Sequence, residues 1–341
     1  MRKRNLMPLL VGTVGMLVMI FDGKTAITSI KDGLDLCMRT LIPSLFPFFV
    51  LSMLVTGSLA GVSIAPLRWI GRICRIPQGA EPIFLVGLLG GYPVGAGNIS
   101  AAYKSGSLTL KDANRMCIFC NNAGPSFLFG ILGPLFPHVG YVWLLWGIQI
   151  AATVLTGILL PGTCARNATL ASTEQVSVPD ALSRGIKSMT LVCGWVILFR
   201  MLITFLDRWL LWLIPEPVRT ALVGLLELSN GCLELSYIKQ VGWRFLLAGI
   251  MLSLGGSCVW MQTLSVFPEL LIWDYITGRI LHCLTGLILS LPVLPMLAGQ
   301  RTVISFLFPI IIGLTLVILA LLLRKEKKEV AFCDRLMYND I

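Results

Sequence analysis

Ionisable chemistry is scarce in this chain. Of its 341 residues two are His, and only 13% are Asp, Glu, Lys or Arg, against about 25% in a soluble domain. So little charge cannot cover a surface that faces water on all sides, which argues against a soluble globular fold. Enzyme signatures are missing as well: there is no P-loop, no His-Glu-x-x-His, no Gly-x-Ser-x-Gly and no cluster of metal ligands. We therefore expect no enzyme, no catalytic residue, no metal and no cofactor. The net charge is +10, but no basic stripe is interleaved with aromatics, so nucleic acid is not an expected partner. The ten Cys lie mostly inside apolar stretches and form no secreted disulfide framework. Cys117 and Cys120 make a lone Cys-x-x-Cys without a second pair or a nearby His, and read as two small apolar residues on one helix face.

What the chain has in abundance is apolar sequence. Hydrophobic residues make up 56%, and Gly occurs 33 times, which suits helices packed closely in lipid. Apolar stretches run over roughly 5–21, 41–65, 83–99, 116–136, 139–161, 189–214, 218–235, 245–268, 280–298 and 303–323. About 20 residues cross a bilayer as a helix. The expected class is an all-α polytopic membrane protein with 8–10 hydrophobic segments. The basic start Arg2-Lys3-Arg4 has no small-x-small cleavage site after its apolar stretch, and reads as an uncleaved first span with its basic end in the cytoplasm. We divide the chain into a first span (1–28), a first repeat (29–161), a polar linker (162–184), a second repeat with the last span (185–324) and a charged cytoplasmic tail (325–341). The linker contains Asn167-Ala168-Thr169, a match to a glycosylation acceptor short enough to arise by chance.

The two halves resemble each other. Leu85-Val86-Gly87-Leu88-Leu89 recurs as Leu222-Val223-Gly224-Leu225-Leu226. A long apolar segment precedes each copy, and an apolar segment broken by small polar residues follows it. Duplication with inversion is the usual way such halves build alternating access, with broken or re-entrant helices at corresponding places.

Four stretches could carry chemistry. Gly90 to Asn98 holds four Gly and one Pro and cannot form a regular helix cheaply. Irregular backbone at membrane depth is tolerated where protein or a watery cavity covers it, so Gly91, Tyr92, Pro93, Gly95 and Asn98 are candidate solute-binding residues. The alternative is a tight helix-packing site. Asn121, Asn122 and Ser126 flank Pro125; two adjacent amides are costly to bury unpaired and could hold a hydroxylated or amide-bearing ligand, or could satisfy backbone freed by the Pro breaks. In the second half, helical spacing puts Glu227, Asn230 or Gly231, and Glu234 on one face. Intramembrane carboxylates are ion or proton sites by default, so Glu227 and Glu234 are candidate coupling groups and Asn230 a binding residue; for Glu234 the alternative is solvation near Lys239. Gly255-Gly256-Ser257 parallels Ala123 to Ser126 and makes Ser257 a further candidate. Arg200 and Asp207 share a helix face and are expected to form a structural ion pair, and His282 to be a hydrogen-bonded packing residue. Thr109 with Asp112 reads as a helix N-cap.

Three of these motifs carry a family resemblance. Leu41-Ile42-Pro43-Ser44-Leu45-Phe46-Pro47-Phe48-Phe49, Gly91-Tyr92-Pro93-Val94-Gly95-Ala96 and Phe119-Cys120-Asn121-Asn122-Ala123-Gly124-Pro125 resemble, in order and spacing, the YlbJ-type sporulation integral membrane proteins of the nucleoside-recognition, or Gate, domain group. The resemblance covers about residues 30–300. It implies a multi-pass protein of the bacterial inner membrane with a transporter-like fold and a role in sporulation. Where the family pattern often continues with Lys, this chain has Gly97-Asn98, so no cation is expected to act there. The expected partners are the lipid bilayer, a small polar solute, nucleoside-like as the resemblance implies, and further copies of the chain in a homo-oligomer. Two functions follow: a permease for such a solute, or a non-transporting scaffold or sensor for spore assembly.

Overall fold

The computed structural model describes residues 6–59, 65–162 and 176–297. The expectations for Arg2 to Arg4, for Asn167 to Thr169 and most of the linker, for the apolar stretch 303–323 and for the tail lie outside the described residues. By its contacts the chain divides after Gly286 into two units.

Among the described residues every regular element is helical, as expected for an all-α membrane protein. Helix α1 (Met7–Phe21) is followed by α2 (Gly23–Leu36), which Asp22 caps by accepting from the Thr25 N–H at 3.3 Å. A π turn at Cys37–Leu41 joins α2 to α3 (Ile42–Leu59), and the short α4 (Ala65–Ile73) follows. The hairpin α5 (Glu81–Gly90) and α6 (Val94–Lys104) comes next. Then α7 (Leu110–Phe119) breaks before α8 (Pro125–Phe127), which continues through a π turn at Leu128–Leu132. Helix α9 (Val139–Leu159) ends the first half. The second half holds α10 (Val178–Trp209), the hairpin α11 (Glu216–Leu226) and α12 (Leu228–Glu234), then α13 (Val241–Leu254), α14 (Gly256–Val266) and α15 (Ile272–Ser290). In the second unit, the described residues finish α15 and add α16 (Leu294–Leu297).

Among the described residues five runs are long and apolar enough to cross a bilayer: Gly23–Val55, Val139–Leu159, Val178–Trp209, Val241–Val266 and Ile272–Val293. That is fewer than the apolar stretches of the sequence, because Gly and Pro cut several of those into pieces too short to span and stretch 303–323 lies outside the described residues. Stretches 83–99 and 218–235 are hairpins, not spans. Many large apolar side chains point outward, such as Leu51, Leu198 and Ile280; in water they would be a liability, whereas in lipid they face their natural solvent.

Side-chain bonds fix which end of the bundle each element reaches. Arg208 pairs with Asp22 at 2.9 Å, so α10 ends where α2 begins; Arg244 donates to the Leu135 carbonyl, which adds the start of α13 and the end of the α8 segment. At the opposite, first end, Arg115 donates to the carbonyls of Cys74, Arg75, Gly157 and Leu160, joining the turn before α5 to the end of α9. Asn114 binds the 269–271 loop, and Gly57 of α3 approaches Val176 just ahead of α10. Hairpin α5–α6 therefore enters from the first end and returns there, while α11–α12 enters from the second end. Helices α7–α8 cross from first to second and α13–α14 from second to first. The two halves run in opposite senses, as inversion requires.

Local sequence explains the breaks. Gly91 takes φ +73°, a conformation other residues adopt at a cost, and Pro93 precedes α6 without an N–H to donate. Gly255 and Gly256 likewise take φ +77° and +73°. Thr109 caps α7 by accepting from the Asp112 N–H at 3.1 Å. Glycine also lets the broken segments touch. A Cβ on Gly87 would lie 1.7 Å from the Cys120 carbonyl oxygen, whereas one on Gly97 would meet nothing within 4 Å. In the second copy of the repeated pentapeptide, Gly224 is the close-approach point for Gly231 and Gly256. Gly87→Ala is expected to cost several kcal/mol, above about 3, and to yield little folded protein by size-exclusion chromatography, while Gly97→Ala behaves as the wild type.

The ion pair expected between Arg200 and Asp207 does not form. Arg200 pairs with Asp32 of α2 at 3.3 Å, and Asp207 takes Arg219 of α11 at 2.7 Å. One shared helix face put the first two within reach, but neighbouring helices offer closer partners.

Candidate functional site

The two hairpin tips meet inside the bundle. Gly90, Gly91 and Tyr92 of the first hairpin, Ala123, Gly124 and Ser126 of the α7–α8 break, Glu227 and Ser229 of the second hairpin, and Gln262 of α14 line one cavity, closed by apolar side chains of α3 and α10 that include Phe49 and Val196. Its empty volume is about 410 Å³ counting the open mouth. Little of that lies behind the mouth, so this conformation accommodates a solute of a few heavy atoms rather than a large ring system.

Glu227 is the formal charge in the lining. It is 1% exposed and caps α12, accepting from the backbone N–H groups of Ser229 at 2.9 Å and Asn230 at 2.7 Å and from the Asn230 amide at 2.6 Å. Among the described residues no cation lies within ion-pair distance of it. The Asn230 side-chain oxygen Oδ1 in turn accepts from Arg200 at 3.2 Å, so Asn230 stands between that cation and the carboxylate. The Ser126 hydroxyl is buried without a hydrogen-bond partner among the described residues, which is costly unless a ligand or water completes it.

Other candidates lie outside the lining. Asn121 donates to Thr263 at 3.1 Å and accepts from the Ala96 N–H at 3.2 Å. Asn122 donates to the Phe119 carbonyl at 2.7 Å and accepts from Arg279 at 2.8 Å. Both amides thus tie the α7–α8 break to its surroundings. Asn98 donates to the Val94 carbonyl within α6, and Ser257 to the Leu225 carbonyl. Pro93 is the cap residue before α6, and Gly95 sits against the Cys120 carbonyl. Glu234 is not solvated beside Lys239 alone: it pairs with Arg219 at 3.2 Å, away from the cavity. Gly91, Tyr92, Ser126 and Glu227 are brought together; Asn98, Asn121, Asn122, Asn230, Glu234 and Ser257 support or surround them.

One central residue escaped sequence reasoning. Arg279 of α15 is 0% exposed and pairs with no carboxylate among the described residues. One of its terminal nitrogens donates to the Ile118 carbonyl at 3.1 Å, the Asn121 carbonyl at 3.3 Å and the Asn122 side chain; the other reaches the Tyr92 hydroxyl at 2.5 Å and the Leu252 carbonyl at 3.1 Å. Tyr92 itself donates to the Leu252 carbonyl at 3.2 Å. A single guanidinium thus binds the tip of the first hairpin, the α7–α8 break and the end of α13. Behind it a polar seam joins α9, α13 and α15: Gln149 to Ser253 at 3.0 Å, Thr153 to His282 at 3.2 Å and Thr156 to Thr285 at 3.4 Å. His282 is fully buried there, as a packing histidine should be.

Among the described residues no three His, Cys, Asp or Glu side chains converge on a metal position. Cys117 and Cys120 are fully buried.

The sporulation integral membrane protein YlbJ of Bacillus subtilis (strain 168) is 31% identical to this chain over 104 residues. The match takes in 29% of this chain and 25% of the relative, so it spans about a quarter of the relative's length. No family model matches the chain, and no solved structure does. The likeness and the apolar helices agree on a multi-pass integral membrane protein.

Proposed function

We propose that this chain is a permease for a small polar solute, that it serves sporulation, and that its solute site is the cavity between the two hairpin tips. The observation that carries the reading is the convergence of both re-entrant tips and both broken helices on a buried carboxylate and an unpartnered hydroxyl. Transporters of inverted design place their sites at such crossings of discontinuous helices. Glu227 is the group for a coupling ion, a proton or a positively charged part of the solute. Tyr92 and Ser126 supply neutral polar contacts, and Arg279 holds the first tip in place. The tightness of the cavity favours a solute smaller than a nucleoside, although the Gate-domain resemblance points to nucleosides. A role in endospore formation in the bacterial inner membrane rests on the likeness to YlbJ and on the three motifs.

A screen of the purified protein by thermal shift, against amino acids, nucleosides, small amines and alkali cations, tests the site. At least one small solute is expected to raise the unfolding midpoint of the wild type and not of Glu227→Gln. If none does, and the protein co-purifies with a partner instead, the scaffold function takes precedence; the engagement of Asn121 and Asn122 in internal bonds is the observation in its favour.

A further inference from the structure

We infer that α4 is an interfacial helix that binds anionic phospholipid headgroups. The helix has nine residues, about 14 Å at 1.5 Å per residue, and so cannot span a hydrocarbon core of about 30 Å. The chain reaches it from α3 and leaves it into α5 at the first end of the bundle, so α4 runs along that end.

Its residues sort cleanly by face. Leu67 and Ile73 are buried, while Trp69 is 65% exposed and Arg68 and Arg72 are exposed beside it. Positions 68, 69 and 72 share one side of a helix. On the buried side Gly71 presses on Glu81, whose Cγ would lie 2.5 Å from an added Cβ, so α4 is seated on the entry of the first hairpin. A tryptophan between two arginines belongs at headgroup depth: the ring is amphipathic, and a guanidinium fork matches the oxygens of a phosphodiester.

Charge at this end favours an anionic lipid over a zwitterionic one. Lys104, the last residue of α6, and Lys111, in the first turn of α7, are exposed at the same end. A basic end also marks the cytoplasmic side, where anionic lipids attract juxtamembrane cations.

The test uses the full-length protein in neutral detergent micelles, heated with added phosphatidylglycerol or phosphatidylcholine. Phosphatidylglycerol is expected to raise the unfolding midpoint by several degrees more than phosphatidylcholine. The double variant R68Q/R72Q loses that difference, and K104Q/K111Q keeps most of it. Inorganic phosphate at the same concentration gives no shift. Equal shifts with the two lipids overturn the inference, as does an undiminished preference in R68Q/R72Q or a phosphate shift as large as that of the lipid. Should R68Q/R72Q fail to fold, native mass spectrometry of the wild type decides: retention of phosphatidylglycerol over phosphatidylcholine supports the site, and equal retention overturns it.

Discussion

Arg279→Gln is expected to lower the thermal unfolding midpoint by roughly 5–10 °C, corresponding to about 2–4 kcal/mol. The side chain is fully buried and makes five hydrogen bonds to three separate breaks. Bonds to a charged group are worth about 1.5–3 kcal/mol each in soluble proteins but average only about 0.6 kcal/mol between side chains in a bilayer, and five at the lower value make about 3 kcal/mol. A glutamine is too short to reach Tyr92 and Asn122 together. Arg279→Lys keeps the charge, yet one ammonium cannot reproduce a planar fork spread over five acceptors, so its loss should be nearly as large. Circular dichroism during heating in detergent checks both variants. An unchanged midpoint in Arg279→Gln would show that the breaks hold without their hub.

Glu227→Gln is expected to abolish the response to solute while costing only about 1–2 kcal/mol of stability. The carboxylate accepts three N–H bonds at the start of α12. A carboxamide retains one acceptor oxygen for that cap, but turns an NH₂ group toward at least one donor. The cap weakens and the hairpin survives. The negative charge in the cavity is lost altogether, and with it the means of attracting a cation, a proton or a positively charged solute. Glu227→Asp retains the charge on a shorter stem, so a reduced response should persist. Midpoints of the three proteins with and without the solute found in the screen separate the two effects. Equal ligand shifts in wild type and Glu227→Gln would remove Glu227 from the site.

The first hairpin was legible because its cause is local. Gly91 and Pro93 break a helix, and Gly255-Gly256 separates α13 from α14 in the same way. The repeated pentapeptide was legible too, since each copy places its central glycine against a close neighbour. Partner choice was not. The spacing of Arg200 and Asp207 is correct for a shared face, but α2 and α11 bring Asp32 and Arg219 nearer, and no local pattern encodes that. The amides of Asn121 and Asn122 looked like free donors and acceptors because their partners, Thr263, Ala96 and Arg279, lie far along the chain. Arg279 itself had a signal: it stands beside Gly278 and three residues before His282 at the edge of an apolar stretch, and an intramembrane cation merits the same suspicion as an intramembrane carboxylate.

Uptake into proteoliposomes tests the account at its centre. The wild-type protein should accumulate at least one small polar solute that stabilises it against heat, and Glu227→Gln, reconstituted to the same density and still folded, should not. Equal uptake by the two proteins, or a stabilising solute that neither protein carries across the membrane, would contradict a transport site between the hairpin tips.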